Sequence, residues 1–180
     1  MKTIFSIITI IISSLVYSQE FKFEEVVKVD STTTKDELYN RARAWVVKTF
    51  NDEKAVLSIQ DKETGELSGS GSMRFQSSRV FFGVVCVNGN ISYKFSIFLK
   101  DGRYKYLFHS FVHSGSYFEN SKPISYGMLT LSDKSPEPSR GSANDKAWNE
   151  IKLKANLRVD ELVSSLKEGM SKKYEVSNDW

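Results

Sequence analysis

The chain contains a single cysteine, Cys86, among its 180 residues. One thiol cannot close an internal disulfide, so the fold must be held by packing and hydrogen bonds. Proline is nearly as scarce: Pro123, Pro136 and Pro138 fall in one stretch, which reads as irregular. Histidine occurs only at His109 and His113. The longest apolar run, Thr3 to Val16, falls short of the ~20 residues that a membrane-spanning helix needs. An excess of either charge is missing as well, since 25 basic against 22 acidic side chains leave a formal net charge of +3. Nucleic-acid binding draws much of its affinity from a strongly basic stripe, so this balance argues against a nucleic-acid partner.

What the N-terminus does have is an address. Lys2 gives a positive end, the Ile-rich run after it is apolar, and Val16-Tyr17-Ser18 places small or β-branched residues where a signal peptidase cuts. The pattern predicts a cleavable export signal over Met1 to Ser18 and a mature chain from Gln19, periplasmic or extracellular. No cysteine stands at the new N-terminus to take a lipid, so no membrane anchor is expected after cleavage. The remainder suits one domain that buries a sizeable core. Within residues 19–173 we expect a core over 21–113, an irregular excursion over 114–142 and a C-terminal helix over 143–173, with 174–180 as a tail.

Phe21, Phe23, Val26, Val27 and Val29 predict a first strand, ended by the turn residues Asp30 to Thr33. Thr34 and Glu37 stand at capping-box spacing. Leu38, Ala42, Trp45, Val46 and Phe50 then recur every three or four residues, the apolar stripe of a helix that ends near Asn51-Asp52. From Ala55 the period becomes two. Turn residues at Lys62 to Gly65, Gln76 to Ser78, Asn88-Gly89 and Asp101-Gly102 divide that stretch into five consecutive strands. Asn-Gly and Asp-Gly favour two-residue type I′ hairpins with positive φ at both positions, which sets Val87 opposite Asn90 and Lys100 opposite Arg103.

That register puts Val80, Phe82, Val84 and Cys86 on the core face, beside Ile91, Tyr93, Phe95, Ile97 and Leu99, beside Tyr104, Tyr106, Phe108 and Val112. On the strand before them Leu67, Gly69, Gly71, Met73 and Phe75 share a face, and the two glycines would let a helix approach closely. A short apolar patch at Ile124 to Leu131 is a candidate further strand. Trp148, Ile151, Ala155, Val159, Leu162, Leu166 and Met170 form the stripe of a second helix, with a break expected near Asn156. The order strand, helix, five strands, helix is satisfied by an α+β fold in which one antiparallel sheet carries two helices on one face.

With these elements in place, the chain resembles an exported bacterial family known as domain of unknown function 4468, whose fold is similar to a TATA-binding-protein (TBP) half-domain. The resemblance rests on Phe23 with Val26-Val27-x-Val29, on Glu37-Leu38-Tyr39-x-Arg41-Ala42-x-x-Trp45 and on the Gly69-x-Gly71 strand. It spans roughly Phe21 to Val112. It implies a curved sheet with helices on its convex side, and an envelope or secreted location. It implies no chemistry, and likeness to a DNA-binding saddle transfers no function.

Motifs that could carry chemistry each have a plainer explanation. His109 and His113 would share one zinc on a helix. On a strand, four steps of ~3.3 Å set their Cα atoms about 13 Å apart, so both are expected as solvent-facing strand residues and no metal is expected. Cys86 falls on the core face with no cation beside it, an inert thiol rather than a nucleophile. Ser164-x-x-Lys167 matches the nucleophile motif of penicillin-binding proteins, but Ser132-Asp133-Lys134 precedes it and no Lys-Thr-Gly element exists. Asp36-Glu37 suits a helix start, and Asn90-Ile91-Ser92 is a glycosylation sequon set at a tight turn. No cofactor is expected, and the chain reads as non-catalytic.

The remaining signal lies on the face opposite the core. The same register lines up Phe81, Val85 and Val87 beside Ser92, Lys94, Ser96, Phe98 and Lys100, beside Arg103, Lys105, Leu107, His109 and Phe111. Contiguous apolar area exposed on a soluble monomer usually marks an interaction site. Phe81, Val85, Lys94, Phe98, Arg103, Lys105, Leu107, His109 and Phe111 are therefore the candidate interaction face, for an envelope protein, a second copy of the chain or a small ligand, unless residues 114–131 or the tail fold over it. The competing class, an envelope hydrolase, would need a nucleophile, a base and oxyanion donors converging in one pocket.

Overall fold

The structure is a computed structural model that describes residues 19–50, 56–77, 87–116, 122–136 and 142–173. Its elements in chain order are β1 (Phe23–Lys28), α1 (Lys35–Phe50), β2 (Leu57–Asp61), β3 (Glu66–Phe75), β4 (Gly89–Lys100), β5 (Arg103–Gly115), β6 (Gly127–Met128) and α2 (Ser142–Ser171). The strands form one antiparallel sheet in the order β1-β5-β4-β3-β2. The short β6 lies beside the end of β5, on the edge that β1 also occupies. The α+β architecture expected from the sequence is the one that forms.

Helix α1 starts where its caps are. Thr34 Oγ1 accepts the Glu37 N–H at 3.2 Å, as the capping spacing predicts. A second cap comes from the far side of the chain, where Asp101 Oδ1 accepts the Lys35 N–H at 2.6 Å. Gly102 N–H donates to the Thr33 carbonyl, so the β4–β5 corner is fastened to the β1–α1 connection. Lys100 does face Arg103 across this corner. Gly102 has a φ of 67° while Asp101 stays out of the left-handed region, so the corner is not the expected type I′ turn.

Both helices bury their predicted stripes on the inner face of the sheet: Leu38, Ala42, Trp45 and Val46 from α1, and Trp148, Ile151, Ala155, Val159, Leu162, Leu166 and Met170 from α2. The expected break near Asn156 does not occur, and α2 is continuous. Burial of the stripe on both sides of Asn156 outweighs the weak helix preference of one residue. Arg41 donates to the Met170 carbonyl at 2.8 Å and Trp45 Nε1 to Ser165 at 3.0 Å, tying the helices together.

Two expectations fail at the centre of the sheet. First, β4 has β3 on one edge, from Glu66↔Phe98 to Phe75↔Gly89, and β5 on the other. Asn90 therefore faces Arg74 and Ser114 rather than Val87. The ladder along the whole of β3 outweighs the local hairpin preference of Asn88-Gly89. Val80, Phe81, Phe82, Val84, Val85 and Cys86 lie outside the described residues.

Second, β5 is bulged. Between Ser92↔Val112 and Lys94↔His109, two steps on β4 are matched by three on β5, and Ser110 adopts a φ of 53°. The Ser110 N–H donates to Glu20 Oε1 at 3.0 Å. One extra residue reverses the alternation beyond it. Phe111 (1% exposed) and His113 (0%) consequently enter the core, and Val112 turns half out. Counting by twos from Arg103 gives the opposite, which is why Phe111 was expected outside, Val112 inside and His113 in solvent.

Glycines on β3 make room for aromatic rings of β4, not for a helix. A Cβ on Gly71 would lie 2.5 Å from the Tyr93 ring, and one on Gly69 would lie 2.9 Å from the Phe95 ring and 2.3 Å from the Val56 carbonyl oxygen. Gly71→Ala should cost about 1–3 kcal/mol of overpacking, read as a lower urea midpoint. An unchanged midpoint would show that the Tyr93 ring has room to shift.

Residues 127–131 extend the sheet edge instead of covering its outer face. Gly127 pairs with His113 and Met128 with Val112, and Leu129 N–H donates to the Phe111 carbonyl while Leu131 N–H donates to Gln19. Tyr126 and Leu129 point into the core. Beyond them, Trp148 Nε1 and Lys152 Nζ both donate to the Ser132 carbonyl at 2.7 Å, fixing the exit of this segment to α2.

Candidate functional site

Cross-strand register sorts the outer face into rows. The row nearest the Asp101-Gly102 corner is Lys28, Arg103, Lys100. The next is Val26, Lys105, Phe98, Glu66, Asp61, and the third is Glu24, Leu107, Ser96, Ser68, Ile59. Beyond these, His109 faces Lys94, which faces Ser70. Val26 is 56% exposed and Phe98 36%. A depression of about 360 Å³ lies between them, bounded by Lys100, Arg103, Tyr104 and Lys105.

Charges on this face are unevenly compensated. Lys105 Nζ is 2.7 Å from Glu24, and Lys22 is 3.1 Å from the same carboxylate. The hydrogen bond from Lys105, then that from Lys22, holds the Glu24 carboxyl below the usual range. Ser68 donates to Glu66 at 2.7 Å and shares a 2.8 Å hydrogen bond with Ser96. His109 contacts Ser110 and lies 3.9 Å from Glu20. Among the described residues, Lys28, Lys94, Lys100 and Arg103 have no ion-pair partner.

Of the residues expected on the interaction face, Lys94, Phe98, Arg103, Lys105, Leu107 and His109 share it. Phe111 does not belong: it packs against Phe21, Phe23 and Tyr93 with ring centroids 5.4, 5.8 and 5.5 Å away. Phe81 and Val85 lie outside the described residues. Lys100 lies on the face where alternation places it, and Val26 and Lys28 complete it from β1, a strand the sequence reading does not put there. Alternation within the first strand already put Val26 and Lys28 on one side; what was missing was that β1 lies next to β5.

The motifs weighed for chemistry are dispersed. His109 and His113 sit on opposite faces of the sheet. His113 Nε2–H donates to the Val87 carbonyl at 2.9 Å, and Nδ1 accepts the Tyr126 N–H at 3.3 Å, an assignment made from the partners. Burial pushes the His113 pKa below its usual 6.5, opposed by the hydrogen bond to Val87. Lys167 Nζ is held by Glu25 at 2.7 Å, and the same carboxylate accepts the Tyr106 hydroxyl at 2.6 Å. The Lys167 hydrogen bond, then that from Tyr106, lowers the Glu25 pKa. Ser164 is exposed, and its motif partner Lys167 is thus committed elsewhere. Burial, with the Glu25 charge second, pushes the Tyr104 hydroxyl up to about 12. No group of three or more His, Cys, Asp or Glu side chains is placed to hold a metal among the described residues.

Fold and register together define an α+β domain with one sheet face covered by helices and the other uncovered among the described residues. Residues 23–114 match the model of a domain of unknown function (DUF4468) with TBP-like fold, and the chain belongs to that family. Among solved structures it is similar to a TBP-like protein from Parabacteroides distasonis ATCC 8503, with a TM-score of 0.66 and 15% identity over 86% of this chain and 95% of that one. It is also similar to a DUF4468 family protein from Bacteroides ovatus ATCC 8483, with a TM-score of 0.61 and 12% identity over 85% of this chain and 87% of that one. At such identities the likeness is one of fold. No curated protein matches the chain.

Proposed function

We propose that this protein is an exported, non-catalytic binding module that engages a protein of the periplasm or cell surface through the outer face of its sheet. The observation that carries this reading is the exposed pair Val26 and Phe98, set among Lys28, Lys100 and Arg103, cations with no ion-pair partner among the described residues. Sheets covered by helices on one side often meet only water on the other. An apolar depression rimmed by unpaired charge is poorly suited to water and well suited to a complementary surface. The floor of paired strands holds these side chains at fixed spacing, which lowers the ordering cost of binding. The Met1 to Ser18 pattern supports export.

Phe98→Asp and Val26→Asp, introduced in the native host, should abolish a covalent cross-link formed from this face while leaving the thermal midpoint within a few degrees. A product that persists undiminished in both variants would refute the reading. Sedimentation of the purified protein separates a second copy from a different partner.

A further inference from the structure

We propose that the corner of the outer face built by Lys28, Arg103 and Lys100 receives a carboxylate-rich peptide segment of the partner, whose apolar side chain fills the depression between Val26 and Phe98. This rests on the outer face being a docking surface and names the chemistry that docks.

Lys28 and Lys100 each directly face Arg103 in the ladder. Like charges at facing sheet positions oppose folding. Two nearby cations do receive carboxylates: Glu24 pairs with Lys105 and Glu25 with Lys167. At this end of the sheet its carboxylates are otherwise engaged. Asp101 Oδ1 accepts the Lys35 N–H, and Asp30 Oδ1 accepts both the N–H and the hydroxyl of Thr32. The row is left with repulsion that an incoming anion would remove, through charge-assisted hydrogen bonds of which Arg103 can make two in parallel.

Two residues along each strand, about 7 Å away, Val26 and Phe98 flank Lys105, whose amine is already turned to Glu24. The depression of about 360 Å³ has room for an apolar side chain. A ligand with a carboxylate and an apolar group at that separation satisfies both rows. A narrow peptide fits better than a bilayer, because Glu24 and Glu66 stand on the same face. A flat anionic surface would be pressed against them; a chain laid along the cationic row would not.

The probe is a labelled synthetic peptide of Glu, Ser and one Trp, followed by fluorescence anisotropy. Binding should saturate, weaken with added salt, and fall at least tenfold for Arg103→Glu and Lys100→Glu, but not for Lys154→Glu, which changes net charge equally on α2. The thermal midpoint of Arg103→Glu should equal or exceed that of the native protein, because a like-charge contact is relieved. Phe98→Ser should weaken the Trp peptide and leave a Trp-free version unchanged. No peptide binding, equal binding by Arg103→Glu, or binding only to phosphatidylglycerol vesicles would overturn the proposal, the last assigning the corner to a membrane surface. If the peptide fails while Phe98→Asp still abolishes the native cross-link, the docking face stands and its acidic partner falls.

Discussion

Phe111→Ala should lower stability by about 3–5 kcal/mol, the range for removing a fully buried aromatic side chain, and Phe111→Asp should leave no cooperative unfolding transition. Phe111 is 1% exposed and touches rings from the N-terminal segment, β1 and β4 through Phe21, Phe23 and Tyr93. Truncation leaves a cavity walled by rigid rings, which relax little. A carboxylate in the same place would be buried without a partner, a loss comparable with the ~5–15 kcal/mol that holds a whole domain together. Phe98→Asp, at an exposed position on the outer face of the adjacent strand β4, should change stability by only about 0.5 kcal/mol. Urea unfolding followed by near-ultraviolet circular dichroism distinguishes the two. Comparable midpoints for the Phe111 and Phe98 variants would mean that the β5 bulge does not turn Phe111 inward.

Lowering the pH through the range just below 6.5 should destabilise the native protein, and His113→Leu should flatten that dependence. The folded imidazole is buried and its pKa lies below the usual 6.5, so between the folded and unfolded values the unfolded chain holds more protons. Stability therefore rises with pH in that window: it is complete above about pH 6.5 and lost as pH falls toward the folded pKa. The carboxyls of Glu24, Glu25, Asp30, Asp61, Asp145 and Glu168 have pKa values lowered from 4.5 or 3.8. Their contributions are lost only at more acid pH. At about pH 8, His113→Leu should itself cost about 1–3 kcal/mol, because the Val87 carbonyl and the Tyr126 N–H lose their partner inside the core. Denaturant midpoints measured at intervals from about pH 8 to about 5.5 test both statements. A slope that survives in the leucine variant would place the titrating group elsewhere.

The candidate face was legible only up to His109. Lys94, Phe98, Arg103, Lys105 and Leu107 follow from alternation on two strands joined by a two-residue corner, and Lys100↔Arg103 sets that register. The bulge had no local signature. Ser110 is an ordinary strand residue by composition, and its left-handed backbone is supported by Glu20, ninety positions away in sequence. The cationic row was equally hidden, because Lys28 becomes part of it only when β1 docks on β5.

Periodicity and turn chemistry by themselves determined the α+β class, the two helix stripes and the inward residues of β3 and β4, because a side chain's face within an element depends on neighbours a few residues away. Tertiary structure alone decided that β3 lies beside β4, that β5 bulges at Ser110, and that three cations meet at one corner. Those outcomes depend on which distant strands bury the most surface together, a quantity spread over the whole chain that no short stretch of it encodes.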